Sequence, residues 1–181
     1  SPATGRILIA EPFMDDNYFQ RTIVLLCAHD EEGSFGFILN KFIDMEMSEL
    51  MEELPKLNNK IGMGGPVHNS QIFYIHTFGD ILPDSLKIAE GLYVGGDFEV
   101  LKELLSKDLV NKAELRFFVG YAGWDQDQLE TELETESWYV TDVNNLPIFD
   151  TSIDDFWGLA LKGMGGEFAN LAHFPVDPNL N

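Results

Sequence analysis

Two apolar runs separated by a very short acidic loop set the tightest limit on how this chain can fold. Residues 22–29 are β-branched and apolar, Glu31, Glu32 and Gly33 interrupt them, and residues 35–39, led by Phe35, Phe37 and Ile38, resume the pattern. A glycine-bearing loop this short joins antiparallel strands, whereas a parallel pair needs a crossover of about a dozen residues or more. The chain is therefore expected to begin as a hairpin and not as a βαβ unit. Residues 6–10 alternate around Ile7 and Ile9 and add a strand before it, with Asp15, Asp16 and Asn17 marking the turn between.

The remaining pattern mixes helices and strands. Ser48 is placed to cap a short helix through Leu54, with Leu50, Met51 and Leu54 on one face and Pro55 as its stop. Residues 71–78 alternate as a strand, residues 92–94 form a short one, and Asp97 opens a helix to about Lys107 whose Phe98, Leu101, Leu104 and Leu105 recur at helical spacing. Residues 113–119 read as a Phe-rich strand. Glu130, Glu132, Glu134 and Glu136 occupy alternate positions, as on a strand face, yet Leu129 and Leu133 lie four apart and Asp125 with Gln128 has the form of a capping box, so helix is expected. Residues 138–141 form a strand, and Ser152 with Asp155 caps a last helix to about Lys162, which carries a stripe of Ile153, Phe156, Trp157, Ala160, Leu161 and Met164. Gly-Met-Gly-Gly occurs at 62–65, before Pro66, and again at 163–166, where it reads as a helix stop. The tail from Phe174 to Pro178 reads as extended, irregular chain and residues 1–4 as disordered. Residues 1–181 contain no linker-like stretch, so a single α/β (α+β) domain is expected, with an antiparallel start and about four helices.

Charge excludes some partners. Eleven Lys and Arg stand against 31 Asp and Glu, a formal net charge of −20, and residues 117–161 contain no Lys or Arg at all. Nucleic acids are bound largely by releasing counterions onto clustered Lys and Arg, so nucleic acid is an unfavourable partner, as is an anionic membrane surface. The longest uninterrupted apolar run, residues 23–28, falls far short of the roughly 20 residues that cross a bilayer. Residues Ser1 to Thr4 show neither the basic start nor the apolar stretch of a signal segment, and a cytoplasmic location is expected. Cys27 is the one cysteine, which precludes an internal disulfide, and its apolar neighbours Leu26 and Ala28 make it a buried core thiol.

Motifs for chemistry are sparse. Glu32-Gly33-Ser34-Phe35-Gly36 approaches a nucleophile elbow but has Glu where the first Gly of Gly-x-Ser-x-Gly belongs. Gly62-Met63-Gly64-Gly65-Pro66 lacks the Lys and the following helix of a phosphate loop. His29, His68, His76 and His173 show no metal-ligand spacing, although His29 and His76 each end a strand and could meet across a sheet. Asp125-Gln126-Asp127 opens like a calcium loop without its Gly or its final Glu. No metal or cofactor is called for. Gly120-Tyr121-Ala122-Gly123-Trp124 follows a strand and precedes a capped helix, so it reads as a sharp strand-to-helix turn that presents Tyr121 and Trp124 at the sheet's end, a frequent position for ligand sites.

A set of short motifs, in order along the chain, resembles the YqgE/AlgH family of bacterial proteins. They are residues 5–10 with Pro12, Asp16 and Phe19; residues 36–41 from Gly36 to Lys41; Gly64-Gly65-Pro66-Val67; His76; residues 120–124; and Gln128-Leu129-Glu130 with Trp138. The resemblance implies a compact α/β fold with a barrel-like, largely antiparallel sheet flanked by helices. Some members carry the label of transcriptional regulator, a label that supplies no mechanism. Phe42 stands where Pro commonly follows Asn-Lys in the family, and Asp125-Gln126-Asp127 replaces a glycine-containing loop, adding two negative charges where an anion would otherwise be held by backbone.

The preferred reading is a non-enzymatic binding or regulatory protein for a small molecule or another protein. Its candidate surface is Asn40, Lys41 and Gln128 as polar contacts, Tyr121 and Trp124 as walls, and Gly64, Gly65 and Pro66 as closely approachable backbone. The alternatives are an enzyme of unknown reaction, for instance a hydrolase using His76 or a carboxylate, and a regulator acting on DNA, which the net charge opposes.

Overall fold

The structure is a computed structural model, and residues 3–173 are described. Its strands are β1 (Arg6–Ala10), β2 (Ile23–Asp30), β3 (Gly33–Ile38), β4 (Gly62–Met63), β5 (Val67–His76), β6 (Leu86–Ala89), β7 (Leu92–Val94), β8 (Leu115–Asp125) and β9 (Trp138–Asp142). The helices are α1 (Met47–Leu50), α2 (Phe98–Ser106), α3 (Gln128–Glu134), α4 (Phe156–Gly163) and α5 (Gly166–Leu171). The strands join in one nine-stranded sheet of order β6-β7-β5-β8-β3-β2-β1-β9, with β4 added beside β8. Every pairing is antiparallel except β4 with β8. The expected hairpin is present, with Asp30 opposite Gly33 across the Glu31-Glu32 turn.

The mixed, largely antiparallel α/β architecture matches the expectation, with two differences of detail. The barrel is not closed by hydrogen bonds: β6 and β9 are the two ends of the ladder. It curls shut by packing instead, so that a Cβ on Gly5 would lie 2.2 Å from the Ile88 carbonyl oxygen. There are also five helices among the described residues where about four were expected. The second Gly-Met-Gly-Gly does end α4, but Gly165 and Gly166, both at positive φ, turn the chain into α5.

β8 organises the fold. Its first half, Leu115 to Val119, pairs with β5 on one side and with β4 on the other; its second half, Ala122 to Asp125, pairs with β3. The bend between the halves falls at Gly120, whose φ of 72° is open to glycine at little cost. The segment 120–124 is thus the interior of a long strand and not the strand-to-helix turn expected from its glycines. Gly120 bends the strand without ending it, because Gly123 and Trp124 remain paired with Phe35 and Ser34.

Alternation along the strands buries both faces of the sheet. Ile7, Ile9, Ile23, Leu25 and Phe37 face α4, which contributes Phe156, Trp157, Ala160 and Leu161. Leu8, Ala10, Val24, Leu26 and Ile38 face the other way, against Trp124, Trp138 and Leu129 of α3. On the β5–β8 half, Leu115 and Phe117 pack on Leu101 and Leu105 of α2 and on Met47 of α1. Trp157 is almost fully buried and its indole N–H donates to the Ala10 carbonyl at 2.8 Å, so truncation to Ala at this position costs roughly 3–5 kcal/mol. Cys27 is buried in this core, and burial pushes its thiol pKa upward, away from reactivity.

Local signals explain the boundaries. Asp97 caps α2 by accepting from the amides of Glu99 and Val100, as its position predicts. At α4 the cap is Asp155, which accepts from Gly158, while Ser152 bonds to Asp150 instead. The first helix is shorter than expected: Glu46 caps it through a reciprocal box with Glu49, and it ends at Leu50 rather than at Leu54. Strand β5 begins earlier than the alternation suggested, and β4 and β6 carry too few residues for a periodic signal. The expected C-terminal extended segment lies outside the described residues.

Candidate functional site

A cavity of about 410 Å³ opens where the β2–β3 hairpin meets the second half of β8 and the start of α3. That volume falls within the range of small-ligand sites, roughly 300–1,000 Å³. Its lining includes Asp30, Glu32, Ser34, Phe35, Tyr121 and Gln128, together with Asp125 and Trp124. A neighbouring cavity of about 330 Å³ shares Asp30 and adds His29, Glu31, Asp127 and Glu130. Among the described residues neither is lined by a Lys or an Arg, so both carry negative potential, and the first adds an aromatic wall.

That wall is held by its own ring contacts. Tyr121 meets Phe35 edge-on at 5.6 Å and Phe73 at 5.7 Å, with His68 at 5.7 Å. Alternation puts Trp124, three residues on, against the opposite core, where its indole N–H donates to Glu132 Oε1 at 3.3 Å. The hairpin turn is braced by Asp30 Oδ1, which accepts from the Glu32 amide at 2.8 Å, and the start of α3 by Gln128 Oε1, which accepts from the Asp125 amide at 2.9 Å.

Between the two cavities, His29 and Ser34 face each other directly across the hairpin. His29 Nδ1 lies 2.6 Å from Ser34 Oγ, and His29 Nε2 lies 3.2 Å from Glu130 Oε1. A carboxylate only accepts, so in the neutral ring Nε2 carries the hydrogen and Nδ1 presents its lone pair to the Ser34 hydroxyl.

His76 has the opposite arrangement. It is fully buried, its Nδ1 accepts from the Phe78 amide at 3.2 Å, and its Nε2 donates to the Gly95 carbonyl at 2.7 Å. Burial holds this imidazole below its usual range, with the Gly95 carbonyl pulling the other way. Ser85 Oγ lies 3.3 Å from Nε2, but that nitrogen carries the hydrogen and has no lone pair to receive the hydroxyl proton. His29 and His76 do not meet: they neighbour opposite ends of β8, His29 through Ser34 beside Trp124 and His76 beside Leu115. Among the described residues no group of three or more His, Cys, Asp and Glu is placed to hold a metal ion.

The expected surface is divided by the fold. Tyr121, Trp124 and Gln128 line the first cavity, and Pro66 precedes Val67, which also lines it. Gly64 and Gly65 are packed against the backbone of Gly120 and Tyr121. Asn40 lines a separate cavity of about 340 Å³ with Arg21, Lys60 and Asp155, and its amide holds the start of β2 by accepting from Ile23 N and donating to the Arg21 carbonyl. Lys41 folds over the Tyr18 ring, 3.8 Å from its centroid, and donates to the Tyr18 carbonyl; desolvation lowers its pKa, partly offset by Asp16. His29, Asp30, Glu32, Ser34, Phe35 and Glu130 are absent from the sequence-based surface. A signal for two of them was present, since a two-residue turn after Asp30 places His29 opposite Ser34.

The AlgH-like family model matches residues 7–169 of this chain. The chain belongs to the AlgH-like family. Its AlgH-like relatives include a UPF0301 protein of Cytophaga hutchinsonii, 41% identical over 178 residues and 98% of each chain, and one of Parabacteroides distasonis, 39% identical over 182 residues, 99% of this chain and 92% of the relative. The AlgH-like fold is similar to the solution structure of AlgH from Pseudomonas aeruginosa, with a TM-score of 0.74 and 27% identity over 96% of this chain and 95% of that one. A crystal structure of a Corynebacterium diphtheriae protein gives a TM-score of 0.77 and 25% identity over 96% of this chain and 93% of its own. The resemblance read from the ordered motifs is thereby established, and the AlgH-like match includes every residue lining the two acidic cavities.

Proposed function

We propose that this protein is a binding protein whose acidic, aromatic-walled cavity receives a cationic group, an ammonium or guanidinium, from a small molecule or from a partner protein. The observation that carries the reading is the lining: Asp30, Glu32 and Asp125 beside the rings of Tyr121 and Phe35, without a Lys or Arg. Carboxylates and ring faces both attract cations, and an apolar wall raises the effect by excluding water. Elsewhere on the molecule Lys87, Lys102, Lys107 and Lys112 each lie within 4.0 Å of a carboxylate, which offsets their charge. A polyanion such as DNA finds no basic stripe to release its counterions, which opposes the regulator label in its literal sense. Among the described residues no helix is long and apolar enough to cross a membrane.

Amide chemical shifts followed during titration with choline and with N-acetyl-arginine amide test the reading. The expected result is saturable movement confined to the amides around Glu32, Phe35, Tyr121 and Gln128, weakened in Asp30→Asn and Asp125→Asn. Movement elsewhere, none at all, or tight binding of duplex DNA at low salt sinks it.

A further inference from the structure

We propose that Ser34 is a nucleophile, activated by His29 as general base with Glu130 as the positioning residue, and that this acidic site hydrolyses esters carrying an ammonium or guanidinium group. The nucleophile and base rest on geometry alone; the substrate class rests on the cation-binding reading above.

An activated serine needs a base within about 2.6–3.2 Å and a third group that orients that base. Ser34 Oγ to His29 Nδ1 is 2.6 Å, and His29 Nε2 to Glu130 Oε1 is 3.2 Å. The carboxylate fixes the ring hydrogen on Nε2 and leaves Nδ1 to take the hydroxyl proton. The ring nitrogens are exchanged relative to the familiar Ser-His-Asp arrangement, but the roles are the same, and such triads are recognised by roles. The supports come from different elements. His29 and Ser34 are fixed by hairpin register, and Glu130 comes from the first turn of α3, which packs on β3 and β8. Register puts Ser34 on the same face of the sheet as His29 and Trp124, the side covered by α3, where His29 and Glu130 line the smaller cavity. The Ser85–His76 pair lacks this arrangement, because its tautomer is locked the wrong way.

In the reaction Ser34 Oγ forms a bond to the ester carbonyl carbon as its proton passes to His29 Nδ1. The bond from that carbon to the alcohol oxygen then breaks, and His29 returns the proton to the leaving alcohol. Water, deprotonated in turn by His29, attacks the acyl-serine, releasing the carboxylic acid and restoring Ser34. Asp30, Glu31 and Asp127, which line the smaller cavity beside His29, oppose the negative charge that develops on the carbonyl oxygen, so a substrate carrying its own positive charge is favoured.

Wild-type protein is treated with a neutral fluorophosphonate probe and the adduct located by peptide mapping; acid release from acetylcholine and from p-nitrophenyl acetate is measured in parallel. The adduct is expected on Ser34, absent in Ser34→Ala, and formed on the order of 100-fold or more slowly in His29→Gln. Glu130→Gln, whose amide oxygen can still accept from His29 Nε2, is expected to keep much of the labelling rate that Glu130→Leu loses. An adduct elsewhere, no adduct, or labelling indifferent to His29→Gln overturns the nucleophile, and the wild-type map decides this even where a variant fails to fold. Labelling of Ser34 with acetylcholine turned over no faster than the neutral ester keeps the nucleophile and overturns the cationic substrate class. Choline-dependent shifts without any adduct overturn the nucleophile and leave the binding site.

Discussion

Gly65 and Gly120 interlock: a Cβ on Gly120 would lie 2.4 Å from the Gly65 carbonyl oxygen, and a Cβ on Gly65 would lie 2.1 Å from the carbonyl carbon of Tyr121. Real Cβ atoms do not approach backbone this closely, so the two glycine-rich motifs serve each other. Gly120→Ala combines that overlap with a φ of 72°, and the left-handed backbone and overpacking together cost about 2–4 kcal/mol. Urea denaturation is expected to show a lower midpoint with an unchanged slope. A variant as stable as wild type would mean that the bend in β8 yields easily.

The same pair shows where the sequence was legible and where it was not. Both motifs stand out locally, yet nothing in a linear pattern says that residues 62–65 and residues 120–121 meet, because that contact depends on β4 and β5 flanking β8. The hairpin, α2, α3 and α4 were readable because apolar period and capping residues agreed at each. The long strand β8 was misjudged at its centre because glycine permits both a turn and a bend. The cavity was only partly visible. Tyr121 and Gln128 lay in a conspicuous segment, whereas Asp30 and Glu32 resembled ordinary solvated turn residues until the hairpin was set beside β8.

Glu132 joins two tryptophans. Its Oε1 accepts from Trp138 Nε1 at 3.0 Å and from Trp124 Nε1 at 3.3 Å, beneath the ring of Phe19, which lies 6.2 Å from Trp124 and 6.0 Å from Trp138. Glu132→Leu removes the acceptor for two buried donors, at about 1–3 kcal/mol for each one left unpaired. Glu132→Gln keeps an acceptor oxygen and is expected to lose far less. Equilibrium unfolding followed by tryptophan fluorescence separates them, and equal losses would show that charge rather than acceptance matters at Glu132.

His76 makes stability depend on pH in a window where few other groups titrate. Its folded-state pKa lies below the unfolded value of about 6.5, so between the two the unfolded chain binds the extra proton. Stability is therefore full above the unfolded value and falls as pH drops through it toward the folded value. Protonation would also displace the Phe78 amide from Nδ1. Thermal melts of wild type and His76→Gln from about pH 5 to 7.5 should converge at the acid end of that range. Parallel curves would place the titration elsewhere.

The acidic cavity makes a prediction about salt. Attraction between Asp30, Glu32 or Asp125 and a cationic ligand acts partly through solvent, and raising ionic strength from about 0.01 M to 0.15 M shortens the screening length from about 30 Å to about 8 Å. Choline binding should weaken with added salt in wild type and respond less in the Asp30→Asn, Asp125→Asn double variant, which has less charge to screen. Tyr121→Leu tests the other half of the lining, because it keeps an apolar wall and removes the ring face. It should weaken choline while leaving the salt dependence in place, since the ring's attraction operates at contact. If Tyr121→Leu abolishes the salt dependence instead, the carboxylates are not what the cation meets.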